Sequence, residues 1–268
     1  MPTLNGIHVT NNIFKIVQGL PYTFDRVGMS GSTILTFDDM VLKIEKQSKQ
    51  FDGTVSVMRW LEDKLPVPKV LCVDKENELC YLLMSRINGK MLCDEYFLER
   101  PEELCELLSE GLKTLWSVDI SDCPRIRDLD TELFEAKYQV ENKLYDLDNV
   151  EKDTFGENGR FKTPEDLLQW LFDNKPEYKP VLSHGDFCLP NIFSANGKIS
   201  GYIDLGDMGV GDKWRDIALC YRSLKHNMDG TFGGKVYEGF NPDLLFEKLG
   251  IEKNEKKLDY YIMLDELF

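Results

Sequence analysis

The sequence predicts an α+β fold in which a small β-rich lobe precedes a larger, mainly helical lobe. Within residues 1–85 the apolar runs are short and rich in β-favouring residues, as in Met40–Ile44 and Leu79–Met84. From residue 90 onward the apolar residues recur at helical spacing over longer segments. We therefore expect a boundary after residue 85, with the second lobe formed by residues 86–268.

Helices are predicted at four places. Thr54–Leu65 carries apolar residues at helical spacing and ends at Pro66-Val67-Pro68. Pro101 begins an amphipathic helix whose buried face is formed by leucines. Thr163-Pro164 offers an N-cap and a first-turn proline, and Asp212–Lys225 again shows helical spacing.

The composition indicates an acidic cytoplasmic protein. The chain has 268 residues and a net charge of −15, which disfavours binding to nucleic acid or anionic membranes and favours cationic small molecules. It has no apolar run long enough to span a membrane, and its first residues lack the pattern of a signal peptide. Seven cysteines without metal-binding spacing indicate reduced thiols. We expect a cytoplasmic monomer or weak dimer.

One stretch in the second half of the chain combines a polar cluster with a hairpin signal. His184-Gly185-Asp186 is followed by Asn191, and Asn196-Gly197 then separates two apolar-rich runs. Asn-Gly favours a type I′ turn, because both central residues of that turn need positive φ. Counting back from the turn places Asn191 opposite Tyr202. We therefore expect Asn191 and Asp204 at the same end of a hairpin, with Asp186 on the loop that enters it.

These residue types favour magnesium–nucleotide chemistry over zinc. A carboxamide and a carboxylate beside a second carboxylate suit a hard cation that keeps some waters and carries phosphates. The sequence contains no Cys and His set with zinc-binding spacing. In kinases one Asp handles the acceptor hydroxyl, while an Asn and an Asp hold the metal on the phosphates. Taken singly, each residue also fits a polar loop followed by an ordinary surface hairpin.

Taken together, these residues resemble the catalytic and metal loops of the aminoglycoside phosphotransferases, antibiotic-resistance kinases with a bilobal protein-kinase-like fold. The resemblance is closest to the branch that phosphorylates the 3′-hydroxyl. It runs in order along nearly the whole chain, which argues against chance. Besides His184–Asp186 and Asn191, the segments that carry it are Trp60–Glu62, Lys64–Val70, Val118–Pro124, Ile203–Asp207, Asp212–Ala218 and Leu264–Phe268.

The resemblance implies ATP and Mg²⁺ as cofactors and assigns residues to them. Asp186 would orient the acceptor hydroxyl and accept its proton, and Asn191 and Asp204 would hold Mg²⁺. His184 would brace the loop through hydrogen bonds. The resemblance also implies that the small lobe and the hinge after it bind the nucleotide through five residues: Lys43 and Ser30 at the phosphates, Met84 at the back of the adenine pocket, and the backbone of Ser85 and Ile87.

The resemblance also implies a cationic aminoglycoside as the acceptor. Between Tyr145 and Gly159 the chain carries five acidic residues, which fit either a solvated loop or a lid for polyamine substrates. Asp153 is the candidate ligand in this acidic loop. Family members also use their C-terminal segment for the substrate, which assigns Glu266 and the α-carboxylate of Phe268 to the same role.

Three positions depart from the family pattern. Thr54 stands where a helix Glu is expected to pair with the strand lysine. Either Asp52 or another carboxylate then orients Lys43, or the lysine is held loosely. Asp207 replaces a basic residue after the metal-binding Asp, and His226-Asn227 replaces an acidic pair. These last two changes lie on the substrate side and bear on the range of aminoglycosides accepted.

The resemblance leads to the hypothesis of phosphoryl transfer from ATP to an aminoglycoside, at its 3′-hydroxyl. Three alternatives stay open. A kinase of the same fold can act on another small alcohol, such as an amino acid, choline or a sugar. The missing helix Glu also fits a nucleotide-binding relative with weak catalysis, and the third alternative is a purely structural protein.

Overall fold

The computed structural model describes residues 2–25, 32–147, 150–151, 153–232 and 234–268. The chain separates into two compact units. The first contains residues 1–90 and 193–206, and the second contains residues 91–192 and 207–268. The sequence predicts a single boundary after residue 85, whereas the chain passes between the observed units three times.

The secondary-structure elements are rich in strands before residue 92 and rich in helices after it. The first group is β1 (Thr3–Leu4), β2 (Ile7–His8), α1 (Asn11–Val17), β3 (Thr23–Asp25), β4 (Thr33–Thr36), β5 (Met40–Lys46), α2 (Lys49–Leu61), β6 (Val70–Glu76), β7 (Leu79–Ser85) and β8 (Lys90–Met91). The second group is α3 (Glu95–Leu98), α4 (Pro101–Trp116), α5 (Leu129–Asn142), α6 (Pro164–Asp173), β9 (Pro180–Ser183), β10 (Ile192–Ala195), β11 (Lys198–Tyr202), β12 (Gly209–Asp212), α7 (Lys213–Met228), α8 (Leu244–Leu249) and α9 (Glu255–Asp265).

The first unit is built on a five-stranded antiparallel sheet with β5 at its centre, in the order β3-β4-β5-β7-β6. Met40, Leu42 and Ile44 of β5 alternate into a core that they share with α1. Lys43 and Glu45 therefore share the opposite face of the strand. The runs predicted at Met40–Ile44 and Leu79–Met84 are confirmed as the neighbouring strands β5 and β7.

Helix α2 begins and ends earlier than the sequence pattern predicts. We expected Thr54–Leu65, but the helix runs over Lys49–Leu61. Ser48 is its N-cap, and the Ser48 hydroxyl accepts a hydrogen bond from the Phe51 N–H at 3.2 Å. The periodicity misses this start because residues 49–53 contain one apolar side chain, that of Phe51.

The predicted hairpin is present as β10 and β11. Asn196 and Gly197 have φ angles of 55° and 72°, as a type I′ turn requires. The predicted pairing of Asn191 with Tyr202 is wrong, because a 3-10 turn at Leu189–Asn191 delays the first strand. The Tyr202 N–H instead donates to the Pro66 carbonyl at 3.0 Å.

The second unit is mainly helical, and it contains the antiparallel strand pair β9 and β12. The helices predicted at Pro101, at Thr163 and over Asp212–Lys225 are confirmed as α4, α6 and α7. Thr163 and Asp166 form a reciprocal capping box at the start of α6. Within the described residues no helix has both the length and the apolar composition needed to cross a membrane.

Gly201 in β11 is a position where a side chain would meet a packed neighbour. A Cβ there would lie 2.4 Å from Cγ2 of Ile87. We predict that Gly201→Ala lowers the free energy of unfolding by about 1–3 kcal/mol, the usual cost of overpacking. Urea denaturation measures this difference. The matched control is Gly234→Ala, because a Cβ there has no neighbour within 4 Å among the described residues. Equal stabilities of the two variants would contradict the packing argument.

Candidate active site

The loop that follows β9 brings Asp186 and Asn191 together. The Asn191 Nδ2 donates to the Asp186 carbonyl at 3.0 Å and to the Asp186 Oδ2 at 2.8 Å. The Asp186 N–H donates to Nδ1 of His184 at 3.3 Å, and the His184 side chain is fully buried. His184 thus braces the loop as expected, and the Asn191 amide orients the Asp186 carboxylate.

Gly185 makes the tight course of this loop possible. Its φ angle is 81°, and a Cβ there would lie 2.5 Å from the Asp207 carbonyl oxygen. A side chain at this position would therefore be strained in conformation and would also clash. The close approach sets the loop directly against the backbone that leads into β12.

The carboxylate of Asp216, on α7, holds the same loop by hydrogen bonds. Its Oδ1 accepts from the Ser183 hydroxyl at 2.9 Å and from the Gly185 N–H at 3.0 Å. Its Oδ2 accepts from the indole N–H of Trp116 at 3.3 Å. Asp216 is fully buried, and this burial raises its pKa to about 7, although each of these donors favours the charged form.

Arg215 binds the other side of Gly185. Its Nε donates to the Gly185 carbonyl at 3.1 Å and lies 3.4 Å from Glu132 of α5, and its Nη2 lies 2.7 Å from Asp265 of α9. Burial alone would raise the pKa of Asp265, but the guanidiniums of Arg215 and Arg222 outweigh it and hold that pKa below its ordinary value. Burial raises the pKa of Glu132 to about 7.

These groups line a cavity of about 270 Å³ within the second unit. Its wall carries four side-chain carboxylates and two guanidiniums, and both guanidiniums are already ion-paired. The volume is near the lower end for small-molecule sites, and the excess of carboxylates suits a cationic ligand. The lining residues are Arg127, Glu132, Asp186, Asp207, Arg215, Asp265 and Phe268.

Asp207, where the resemblance leads us to expect a basic residue, faces a guanidinium from a distant segment. Nη2 of Arg127 lies 3.0 Å from Asp207, and its Nη1 lies 2.6 Å from Glu135 of α5. The Arg127 side chain is only 8% exposed. A positive charge is therefore present beside position 207, but Arg127 supplies it.

The three predicted substrate ligands lie in different environments. Glu266 is buried, accepts from the Glu151 N–H at 2.7 Å and lies 3.3 Å from Arg222. Its carboxylate thus anchors the acidic loop. Phe268 lines the cavity, and Asp153 is exposed on the acidic loop. Contacts of these three residues with a substrate stay predictions.

Lys43 and Asp204 form a separate group in the first unit. The Lys43 Nζ lies 3.0 Å from Glu45 Oε2 and 3.9 Å from Asp204 Oδ1. Asp204 has a φ angle of 56°, a left-handed conformation that is uncommon outside glycine and often found at functional sites. Its side chain is 55% exposed. An exposed carboxylate held beside a lysine suits the binding of a phosphate-bound cation.

The residues predicted to contact adenine lie at the end of β7 and just after it. The Ser85 N–H donates to the Lys69 carbonyl at 2.9 Å, and its hydroxyl accepts from the Lys69 N–H at 2.8 Å. The Ser85 N–H is therefore already engaged within the chain. Met84 precedes it on the strand, and Ile87 follows. Ser30, the predicted phosphate contact, lies outside the described residues.

The donor atoms present fit Mg²⁺ as an ion that arrives with a nucleotide. Within the part of the chain that the structure describes, no three His, Cys, Asp or Glu side chains are grouped so as to hold a metal. Mg²⁺ is usually held by one or two carboxylates together with waters and substrate phosphates. Within the first unit the Asp204 carboxylate is a ligand of that type. Within the second unit the amide oxygen of Asn191, which neither of the Asn191 bonds to Asp186 uses, is another.

Four residues that shape the site carry no role in the sequence-based hypothesis. Arg215 and Asp216 belong to a segment noted only for its resemblance, and Arg127 and Glu132 are not singled out. One sequence feature could have revealed two of these residues: the adjacent charged pair Arg215-Asp216 lies directly before the apolar run of α7. Charged residues on a buried helix face need partners, so such a pair indicates an internal ion network.

Sequence comparison finds relatives that match nearly the whole chain. Residues 23–247 match the sequence model of the phosphotransferase enzyme family. The chain is 38% identical to an aminoglycoside 3′-phosphotransferase of Enterococcus faecalis, over 98% of this chain and 99% of that protein. It is 37% identical to an aminoglycoside 3′-phosphotransferase of Staphylococcus aureus, again over 98% and 99% of the two chains.

Solved structures support the fold. The structure is similar to aminoglycoside phosphotransferase APH(3″)-Id from Streptomyces rimosus, with a TM-score of 0.80 at 20% sequence identity over 95% of each chain. That enzyme has also been solved in complex with ADP and streptomycin. The predicted α+β, kinase-like fold is confirmed by this similarity.

Raised carboxyl pKa values predict that stability depends on pH. Burial raises the pKa of Glu132, Asp216 and Glu266 to about 7, whereas an unfolded carboxyl titrates near about 4. At pH values between these two pKa values, the three carboxyl groups are protonated in the folded protein and ionised in the unfolded chain. Stability contributed by these groups is therefore fully present below about pH 4, falls as the pH rises from about 4 to about 7, and then levels off.

Glu132→Gln removes one of these three titrating carboxyl groups and so tests its contribution to the pH dependence. Urea denaturation at several pH values between about 5 and 8 should show a shallower fall in stability than in the wild type. The difference is at most about tenfold in the unfolding constant per pH unit. Glu141→Gln, at an exposed position of the same helix, serves as the control and should keep the wild-type slope. An unchanged slope in Glu132→Gln would mean that Glu132 is ionised in the folded protein throughout this range.

Proposed function

Because this chain belongs to the aminoglycoside phosphotransferase family, we propose that it transfers the γ-phosphoryl group of ATP to the 3′-hydroxyl of an aminoglycoside antibiotic. The observation that carries this proposal is the Asp186 carboxylate, oriented by Asn191 at the wall of an acidic cavity. Relatives that are 37–38% identical over nearly the whole chain are named for this reaction. Such a reaction confers resistance on the cell that carries it.

Asp186 is the residue proposed to act on the acceptor. Phosphoryl transfer depends mainly on positioning and on charge stabilisation, so the group that accepts the proton need not be a strong base. The bond from Asn191 Nδ2 to Oδ2 and the bond from the Asp186 N–H to His184 fix the group in one orientation. Asp186 would accept a hydrogen bond from the acceptor hydroxyl and take its proton late in the transfer.

Lys43, Asn191 and Asp204 are the residues proposed to act on the nucleotide. Lys43 would balance phosphate charge, and Asn191 and Asp204 would hold Mg²⁺. When bound, Mg²⁺ neutralises charge on the phosphate oxygens. Binding of ADP by the Streptomyces rimosus enzyme supports a nucleotide as the donor. The carbonyl of Ser85 and the backbone of Ile87 are the proposed adenine contacts.

The acidic cavity is the feature that supports a cationic acceptor. Its four side-chain carboxylates outnumber its two guanidiniums, and each guanidinium is shared between two carboxylates. Ammonium groups on a substrate would find further acceptors on the exposed acidic loop, where Asp153 is the proposed ligand. A neutral sugar would gain none of this attraction.

The proposed reaction is tested by a coupled ADP-release assay with ATP and Mg²⁺. The acceptors are kanamycin, neomycin, a 3′-deoxy aminoglycoside, choline and homoserine. Turnover with kanamycin but not with the 3′-deoxy compound is expected. Turnover with choline or homoserine alone would favour a kinase of another small alcohol. Nucleotide binding without turnover of any acceptor would favour a catalytically weak relative.

Asp186→Asn tests the role of the acceptor-side carboxylate. Loss of the proton acceptor should lower kcat by about 10²-fold to 10⁴-fold, while the dissociation constant for ATP changes little. Steady-state kinetics and isothermal titration calorimetry measure the two quantities. Asp173→Asn, an exposed change on α6, is the control for general effects of the substitution. A kcat within about tenfold of wild type would remove Asp186 from the mechanism.

A further inference from the structure

Lys43 has a carboxylate partner on its own strand. Glu45 lies two residues further along β5, so both side chains stand on the same face of the sheet. Their charged atoms are 3.0 Å apart, and each side chain is about a quarter exposed, at 24% and 23%. Asp204 lies further from the same ammonium, at 3.9 Å.

Helix α2 contributes to this region in a different way. Its one acidic residue, Asp52, lies 2.6 Å from Lys75 on β6 and is therefore engaged elsewhere. Gln50 of the same helix donates from Nε2 to the Gly206 carbonyl at 3.1 Å, just after Asp204 in the chain. The helix thus supports the loop of Asp204, and the sheet supplies the partner of Lys43.

We propose that Glu45 is the positioning residue for Lys43, and that it performs the task which a carboxylate on the helix performs in protein kinases. The Glu45 carboxylate holds the ammonium on the exposed face of β5 and limits its rotamers before a nucleotide arrives. This inference rests on the proposed function, which identifies the ligand as a nucleoside triphosphate. It explains how Lys43 can be oriented although Thr54 stands where the helix Glu is expected.

Because Lys43 and Glu45 lie on the same strand, the sheet fixes their separation. Strand β5 is central in the sheet and is hydrogen-bonded to β4 and β7 on its two sides. The backbone distance between residues 43 and 45 is therefore fixed by the ladder, whatever the position of α2. The Lys43–Glu45 pair is preorganised, and movement of the helix is not needed to assemble it.

Binding of a non-hydrolysable nucleotide tests the proposal without turnover. The probe is AMP-PNP with Mg²⁺, measured by isothermal titration calorimetry on the full chain. Glu45→Ala and Glu45→Gln should each weaken binding by about tenfold, and Glu45→Asp should remain within about threefold of wild type, as expected for a charge pair. Glu76→Ala, which removes a carboxylate of β6 that binds His8, is the control and should bind normally.

A double-mutant cycle with Lys43→Ala shows whether Glu45 acts through the lysine. In the Lys43→Ala background, Glu45→Ala should change the dissociation constant by less than about twofold. Equal effects of Glu45→Ala with and without Lys43 would assign Glu45 a structural role and overturn the proposal. Tighter nucleotide binding by Glu45→Ala would also overturn it, because Glu45 would then compete with the phosphates for Lys43.

Kinetics with the acceptor identified by the panel give a second readout. Glu45→Ala should raise KM for ATP and leave KM for the acceptor within about twofold. Thermal unfolding without nucleotide checks that each variant is folded, and Glu45→Gln replaces Glu45→Ala if the latter is not. Two results together would support this inference while contradicting the proposed function. The Glu45→Ala and Glu45→Gln variants would bind AMP-PNP more weakly, and the wild-type protein would phosphorylate no aminoglycoside. The reverse result, aminoglycoside turnover with normal binding by both Glu45 variants, would contradict this inference alone.

Discussion

The candidate site depends on the two charged residues that hold Gly185 from opposite sides. Asp216 accepts from the Gly185 N–H, and Arg215 donates to the Gly185 carbonyl. Both side chains are buried, so each needs enough partners to offset the cost of leaving water. Ser183 and Trp116 supply donors to Asp216, while Asp265 and Glu132 supply carboxylates to Arg215. The position of Asp186, the next residue in the chain, follows from this network.

This network explains why so much of the second unit serves one short loop. Arg215 joins α5 and α9 to the loop through Glu132 and Asp265, which lie 83 and 50 residues away in sequence. Gly185 passes so close to Asp207 that a Cβ would overlap the backbone there. The loop therefore has little freedom to adjust, and a substitution of any of these partners should shift the position of Asp186. Precise placement is what phosphoryl transfer asks of a protein.

Local features of the fold could be read from the sequence, whereas partners distant in sequence could not. The Asn196-Gly197 turn and the Thr163 capping box depend on neighbouring residues, and both are present. The start of α2 at Lys49 does not follow from the apolar spacing, because a capping hydroxyl before a polar first turn leaves no periodic signal. The resemblance brought Asp186 and Asn191 into one hypothesis, and they do lie together. The Arg215–Asp265 pair follows from no local pattern, because tertiary packing alone selects those partners. The Lys43–Glu45 pair lies two residues apart on one strand, so the alternation of the strand already places both side chains on one face.

Two departures from the family pattern have the same physical explanation. At position 207 a basic residue is expected, and the chain has Asp207 with the guanidinium of Arg127 beside it. On α2 a Glu is expected, and the chain has Thr54, with Glu45 beside Lys43 instead. A phosphate or an ammonium group responds to the position of a charge in space and not to the segment that carries it. The electrostatic requirement of a site can therefore persist while the residues that meet it move to other elements, so a missing motif residue is weak ground for inferring a missing activity.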